Sequence, residues 1–173
     1  MTHKRVKEMT PGTNPALSEI EARILKERGK ISPLYRTLLN SAPIAKGWES
    51  LITAVRNQSS LPTRLIEIMI LRVAYLNQSD YEFEAHRLPA TQAGLSAQQI
   101  DALKTQAFAA EFSDIENLLI HASDCITQDV ELPDPLFERI AEHFNDQEKL
   151  EIITTISAYN MVSRFLKALK ISY

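Results

Sequence analysis

The residues best placed to do chemistry gather in one stretch, LPTRLIEIMILRVAYLNQSDYEFEAH, from Leu61 to His86. Glu67 lies in its first half, between Ile66 and Ile68, where the sequence is apolar on nearly every side. A helix that is hydrophobic all round is normally buried. A carboxylate on such a helix is costly unless something pairs with it or keeps it protonated. Two readings follow. Glu67 forms a buried ion pair with Arg64 or with an arginine from elsewhere, or it is a carboxylate tuned by burial that orients or exchanges a proton with a nearby base. His86 is the candidate base, and it shares a helix face with Glu82 at i, i+4. At ~1.5 Å rise per residue, Glu67 stands about 15 Å before the break at Asn77-Gln78 and His86 about 10 Å after it. If the two halves fold back on each other, two glutamates and an imidazole converge as an acid/base site.

Other polar groups are less telling. His121 and Cys125 are also i, i+4, but no further Cys or His cluster completes a metal site, so a packed histidine and a buried free thiol are expected. Ser157, Asn160 and Arg164 form a polar seam on an otherwise apolar C-terminal helix. Arg164 is a candidate clamp for a substrate carboxylate, or a partner for Glu67. Asn160 either donates to a substrate carbonyl or satisfies a neighbouring backbone group. Trp48 reads as core or interface packing. There is no Gly-rich phosphate loop and no ligand cluster, so no metal, nucleotide or flavin is expected.

The elements that position these residues are marked by capping chemistry. Residues 1–13 read as an extended arm, and residues 14–173 as a single helical domain. Asn14-Pro15 starts a helix to about Arg28, Ser32-Pro33 one through Leu39, and Ser41 one from Ala42 to about Arg56. The central helix runs from Pro62 to about Asn77, and the next from Ser79 to about Ala93, with Pro89 inside it. Four S/N-x-x-E/Q signatures read as capping boxes: Ser79/Glu82, Ser96/Gln99, Ser113/Glu116 and Asn145/Glu148. Asp134-Pro135 opens another helix, and the last runs from about Asp146 to Lys170. No period-2 run competes, so the chain reads as all-α with about eight helices.

Composition sets the broad class. Of 173 residues, 45% are hydrophobic and 24% charged, an ordinary globular balance. A net charge of −3 without a long basic block argues against a nucleic-acid surface. The opening MTHKRVKEMT lacks the apolar core of a secretory signal, and the longest apolar run is too short to span a bilayer. One cysteine fits a reducing cytoplasm. The apolar face of the last helix is wider than one core needs, which suits burial against a second copy.

From Leu34 to Leu169 the chain resembles the carboxymuconolactone decarboxylase family, which includes the alkylhydroperoxidase D branch. The resemblance is densest in LPTRLIEIMILRVAYLNQSDYEFEAH, AGLSAQQIDALK and SAYNMVSRFLKAL. In the peroxidase branch a glutamate is followed by a CxxC pair and a histidine. Those positions fall here on Glu67, on Ser79 and Glu82, and on His86. The thiols are missing, so the resemblance implies no CxxC-dependent peroxidase even where the family as a whole suggests an antioxidant role. The run Tyr81-Glu82-Phe83-Glu84-Ala85-His86 is instead similar to the decarboxylase-like members. These imply an all-helical subunit with a six-helix conserved core, a trimer or hexamer (a dimer is the smaller alternative), and a small carboxylated lactone or related organic acid as substrate. On that footing His86 is the expected proton donor or acceptor, with Glu67 or Glu82 fixing its tautomer. Arg164, Asn160 and Ser79 are the expected substrate contacts. A non-catalytic helical oligomer that binds a small ligand is the rival.

Overall fold

The local punctuation of the sequence becomes nine α-helices and two 3-10 turns, with no strand, among residues 5–105 and 109–172, which the computed structural model describes. They are α1 (Ser18–Arg28), α2 (Pro33–Leu38), α3 (Ala42–Asn57), α4 (Thr63–Leu76), α5 (Asp80–Gln92), α6 (Ala97–Ala102), α7 (Asp114–Gln128), α8 (Asp134–Ala141) and α9 (Asp146–Leu169). The all-α class holds, with one helix more than the eight or so expected. Asn14 does cap, its side chain accepting from the Ala16 N–H, but the first turn, Pro15–Leu17, is 3-10 and α1 follows it. The short helix capped by Ser96 ends at Ala102.

Three of the four expected capping boxes close. Ser96 and Gln99 exchange both bonds at 3.1 Å, Ser113 pairs with Glu116, and Asn145 pairs with Glu148. The fourth does not. Ser79 occupies the N-cap position of α5, yet its side chain makes no cap bond, and Glu82 turns inward instead of reaching back. The one box that stays open is the one inside the candidate site.

The chain divides into two compact units, residues 1–58 with 166–173, and residues 59–165. In the first, α1 to α3 bury Ile24, Leu38, Trp48 and Ile52. Residues 5–13 are irregular but tied down within this unit. Met9 N–H donates to the Arg36 carbonyl, the Arg36 guanidinium meets Glu8 at 2.7 Å, and Gly12 N–H donates to Glu21.

The second unit is built on α4, whose Ile68 and Leu71 pack with Phe83, Leu95, Leu103 and Ile120 in one buried cluster. Two arginines fasten α4 to α7. Arg64 reaches Glu116 at 2.6 Å, and Arg72 holds both oxygens of Asp124 at 2.5 and 3.0 Å. Both donors and both acceptors are eight residues apart, so the two helices run parallel and in register. Arg72 is fully buried and also donates to the carbonyls of Leu103 and Thr105, the satisfied geometry a buried guanidinium requires. Arg64 is thereby committed away from Glu67.

The link from α4 to α5 is a tight reversal. Gln78 takes a left-handed φ of 54°, and Ser79 N–H bonds back to the Ala74 carbonyl at 2.8 Å. That pattern ends a helix sharply, and it turns α5 back along α4. Pro89 lies within α5 without ending it. Among the described residues, no helix is long and apolar enough to cross a membrane.

Candidate active site

The reversal at Asn77–Ser79 brings Glu67 and His86 together. His86 Nδ1 stands 2.7 Å from Glu67 Oε2, with Glu67 2% and His86 6% exposed. In the tautomer with its hydrogen on Nδ1 the ring donates to Glu67 Oε2, and Nε2 is then its basic nitrogen. The Tyr159 ring meets the imidazole edge-to-face, with centroids 5.1 Å apart and an interplanar angle of 89°. The ring is thus held by one charged partner and one aromatic wall.

Glu82 lies one turn before His86 on α5 and does not share its partner. Its Oε2 accepts from the Ser163 hydroxyl of α9 at 2.6 Å. Burial raises its pKa to about 8, and the hydroxyls of Ser163 and Ser79, which favour the anion, offset only part of that rise. Ser79 sits close enough to act on the Glu82 charge without completing a hydrogen bond. At neutral pH the site therefore holds a neutral carboxylic acid beside a hydrogen-bonded Glu/His pair. A carboxyl kept neutral by burial can donate a hydrogen bond, which an ionised one cannot.

Ser163 and Tyr159 escape a reading of the sequence by faces, because Tyr159 counts as apolar surface and a lone serine on a greasy helix is unremarkable. The signal lies in spacing. Tyr159 and Ser163 are i, i+4 on α9, as Glu82 and His86 are on α5, and they pair in reverse order, as antiparallel helices require.

Asn160 and Arg164 are brought together, but largely with each other. Asn160 donates to the Thr127 hydroxyl at 2.9 Å and to the Ile156 carbonyl at 3.1 Å, and its Oδ1 accepts from Asn77 and Arg164. It fastens the α4–α5 turn to α9 and α7. Arg164 is exposed and does not meet Glu67, whose partner is His86. His121 is exposed and Cys125 half-buried, in place of the expected packed pair. Burial, then Asp129 and Asp124, push the Cys125 thiol above its ordinary pKa. No group of three or more His, Cys, Asp or Glu among the described residues is placed to hold a metal ion.

Comparison with known proteins bears on this geometry. Residues 42–124 match the carboxymuconolactone decarboxylase family. No curated protein matches the chain. Among solved structures, an Agrobacterium tumefaciens protein of unknown function, described as an AhpD-type antioxidant defence protein, is 25% identical over 78% of this chain and 92% of its own, with a TM-score of 0.72. A peroxidase-related protein from Silicibacter sp. TM1040 is 16% identical, covers 99% of this chain and 95% of its own, and has a TM-score of 0.81. The debrominase Bmp8, solved with 2,3,4-tribromopyrrole, is 14% identical over 99% and 92%, with a TM-score of 0.81. The last two share the fold.

Proposed function

We propose that the chain, whose residues 42–124 match the carboxymuconolactone decarboxylase family, is an acid/base lyase acting on a small carboxylated lactone or related organic acid. The observation that carries this reading is the buried 2.7 Å contact between His86 Nδ1 and Glu67 Oε2. Loss of carbon dioxide from such a substrate leaves an enolate-like anion that needs stabilisation and then a proton. The ring of His86, oriented by Glu67 and Tyr159, supplies that proton through Nε2. Arg164 is the cation available for a substrate carboxylate, with Asn160 holding its side chain.

Thiol chemistry is set aside by the sequence. One cysteine, Cys125, is present, and it lies on α7 while His86 is on α5. Peroxide reduction needs one thiolate to attack and a second thiol to resolve. The catalytic form is a homo-oligomer in this reading, supported by the exposed Leu150 and Met161 on α9.

The test is a panel of small carboxylated lactones and β-keto or γ-carboxy acids assayed for carbon dioxide release without added dithiol. Turnover of at least one is expected, and hydrogen peroxide with a dithiol reductant should not be consumed. Peroxide turnover that disappears in Cys125→Ser would instead make this a thiol enzyme.

A further inference from the structure

Two buried oxygens at the start of α5 make no hydrogen bond: Ser79 Oγ and Glu82 Oε1. The residues are 3% and 2% exposed, so bulk water does not satisfy them. An orphaned buried polar atom costs about 1–3 kcal/mol, and native proteins rarely leave one without a use. Here there are two, three residues apart on the first turn of one helix. Their simplest use, the capping box, is the one that stays open while three boxes of the same type close.

Both atoms can donate. Ser79 offers a hydroxyl. Because burial keeps Glu82 neutral up to about pH 8, and because its Oε2 already accepts from Ser163, its acid hydrogen falls on Oε1. The Ser79 hydroxyl lies near the Glu82 carboxyl without completing a bond to it, and two such donors at the positive end of a 13-residue helix call for an oxygen that carries negative charge.

We propose that Ser79 and Glu82 form an oxyanion-accepting subsite that takes the keto or enolate oxygen of a β-keto acid, one helical turn from His86. The proposal rests on the lyase reading and narrows its substrate class. The bond between the carboxylate carbon and the α-carbon breaks and carbon dioxide leaves. The electron pair moves onto the keto oxygen, where the two hydrogens meet it. His86 Nε2 then relays a proton from water to the α-carbon, and the hydroxide left behind takes up the carbon dioxide as bicarbonate.

Cyclohexane-1,3-dione, an enolate at neutral pH, is the probe. Calorimetric titration of the full chain should show binding, with Ser79→Ala and Glu82→Ala each weakening it about tenfold. Glu82→Gln, which keeps a donor, should stay within about threefold of the parent. No binding to the parent, or equal binding by Ser79→Ala, overturns the proposal. Should Glu82→Ala fail to fold, the infrared carbonyl stretch of the neutral Glu82 acid gives a second readout. It should vanish in Glu82→Gln and shift when the dione binds; a band that stays put with the dione bound overturns the proposal. Dione binding through Ser79 and Glu82 without carbon dioxide release from any β-keto acid would keep the subsite and remove the lyase reading. Carbon dioxide release indifferent to Ser79→Ala would do the reverse.

Discussion

Glu82 sits on the first turn of α5, where a carboxylate is ordinarily stabilised as the anion, yet burial wins and lifts its pKa to about 8. The consequence for stability has a definite sign. Its ordinary value is 4.5, so between about 4.5 and about 8 the unfolded chain releases a proton that the folded chain keeps. The contribution is complete below that window and is lost as pH rises through it. Glu82→Gln removes this loss, so its stability relative to the parent in urea unfolding should climb from pH 5 to pH 8 by roughly 3–4 kcal/mol. A difference that stays flat or falls over that range would contradict the burial account. Glu67 and His86 were legible as a pair because their types and their distances from the Asn77–Ser79 break were on the page. The open cap at Ser79 was not, because Ser-x-x-Glu is spelled identically whether the glutamate turns back or inward. Only the Ser163 hydroxyl across on α9 decides it.

At the scale of elements, α4 is a ruler with a charged peg at each end. The two pegs differ in burial, so they should differ in worth. Arg72→Met strands Asp124 and the carbonyls of Leu103 and Thr105, a loss of about 3 kcal/mol or more. Arg64→Met breaks a pair that is part-exposed on the arginine side and should cost roughly 1 kcal/mol. Urea unfolding separates the two, and equal losses would mean that the α4–α7 register does not depend on Arg72. Helix starts were readable because a cap is a bond between residues three apart, so the spelling carries the geometry. Pairings such as Arg64 with Glu116 and Arg72 with Asp124 span 52 residues, and many arginines and acids in the chain could have met. Their common offset, which fixes helix direction, appears only once the pairs are known.

On the scale of the whole molecule, the family match and the site overlap but do not coincide: residues 42–124 contain Glu67, Ser79, Glu82 and His86, while Tyr159 and Ser163 come from α9 beyond them. A homo-oligomer is the expected solution state, because Leu150 and Met161 remain 67% and 37% exposed on α9. Light scattering coupled to size exclusion should give a trimer or hexamer, and a monomer at micromolar concentration would remove that expectation. Thiol-free chemistry at the Glu67–His86 pair is the centre of the account. It is tested most directly by the rate of carbon dioxide release from the best substrate of the panel, measured for the parent, His86→Ala and Cys125→Ser side by side. The rate should fall about 10²- to 10⁴-fold in His86→Ala and stay at the parent level in Cys125→Ser. Turnover that survives His86→Ala, or that is lost with Cys125, contradicts it.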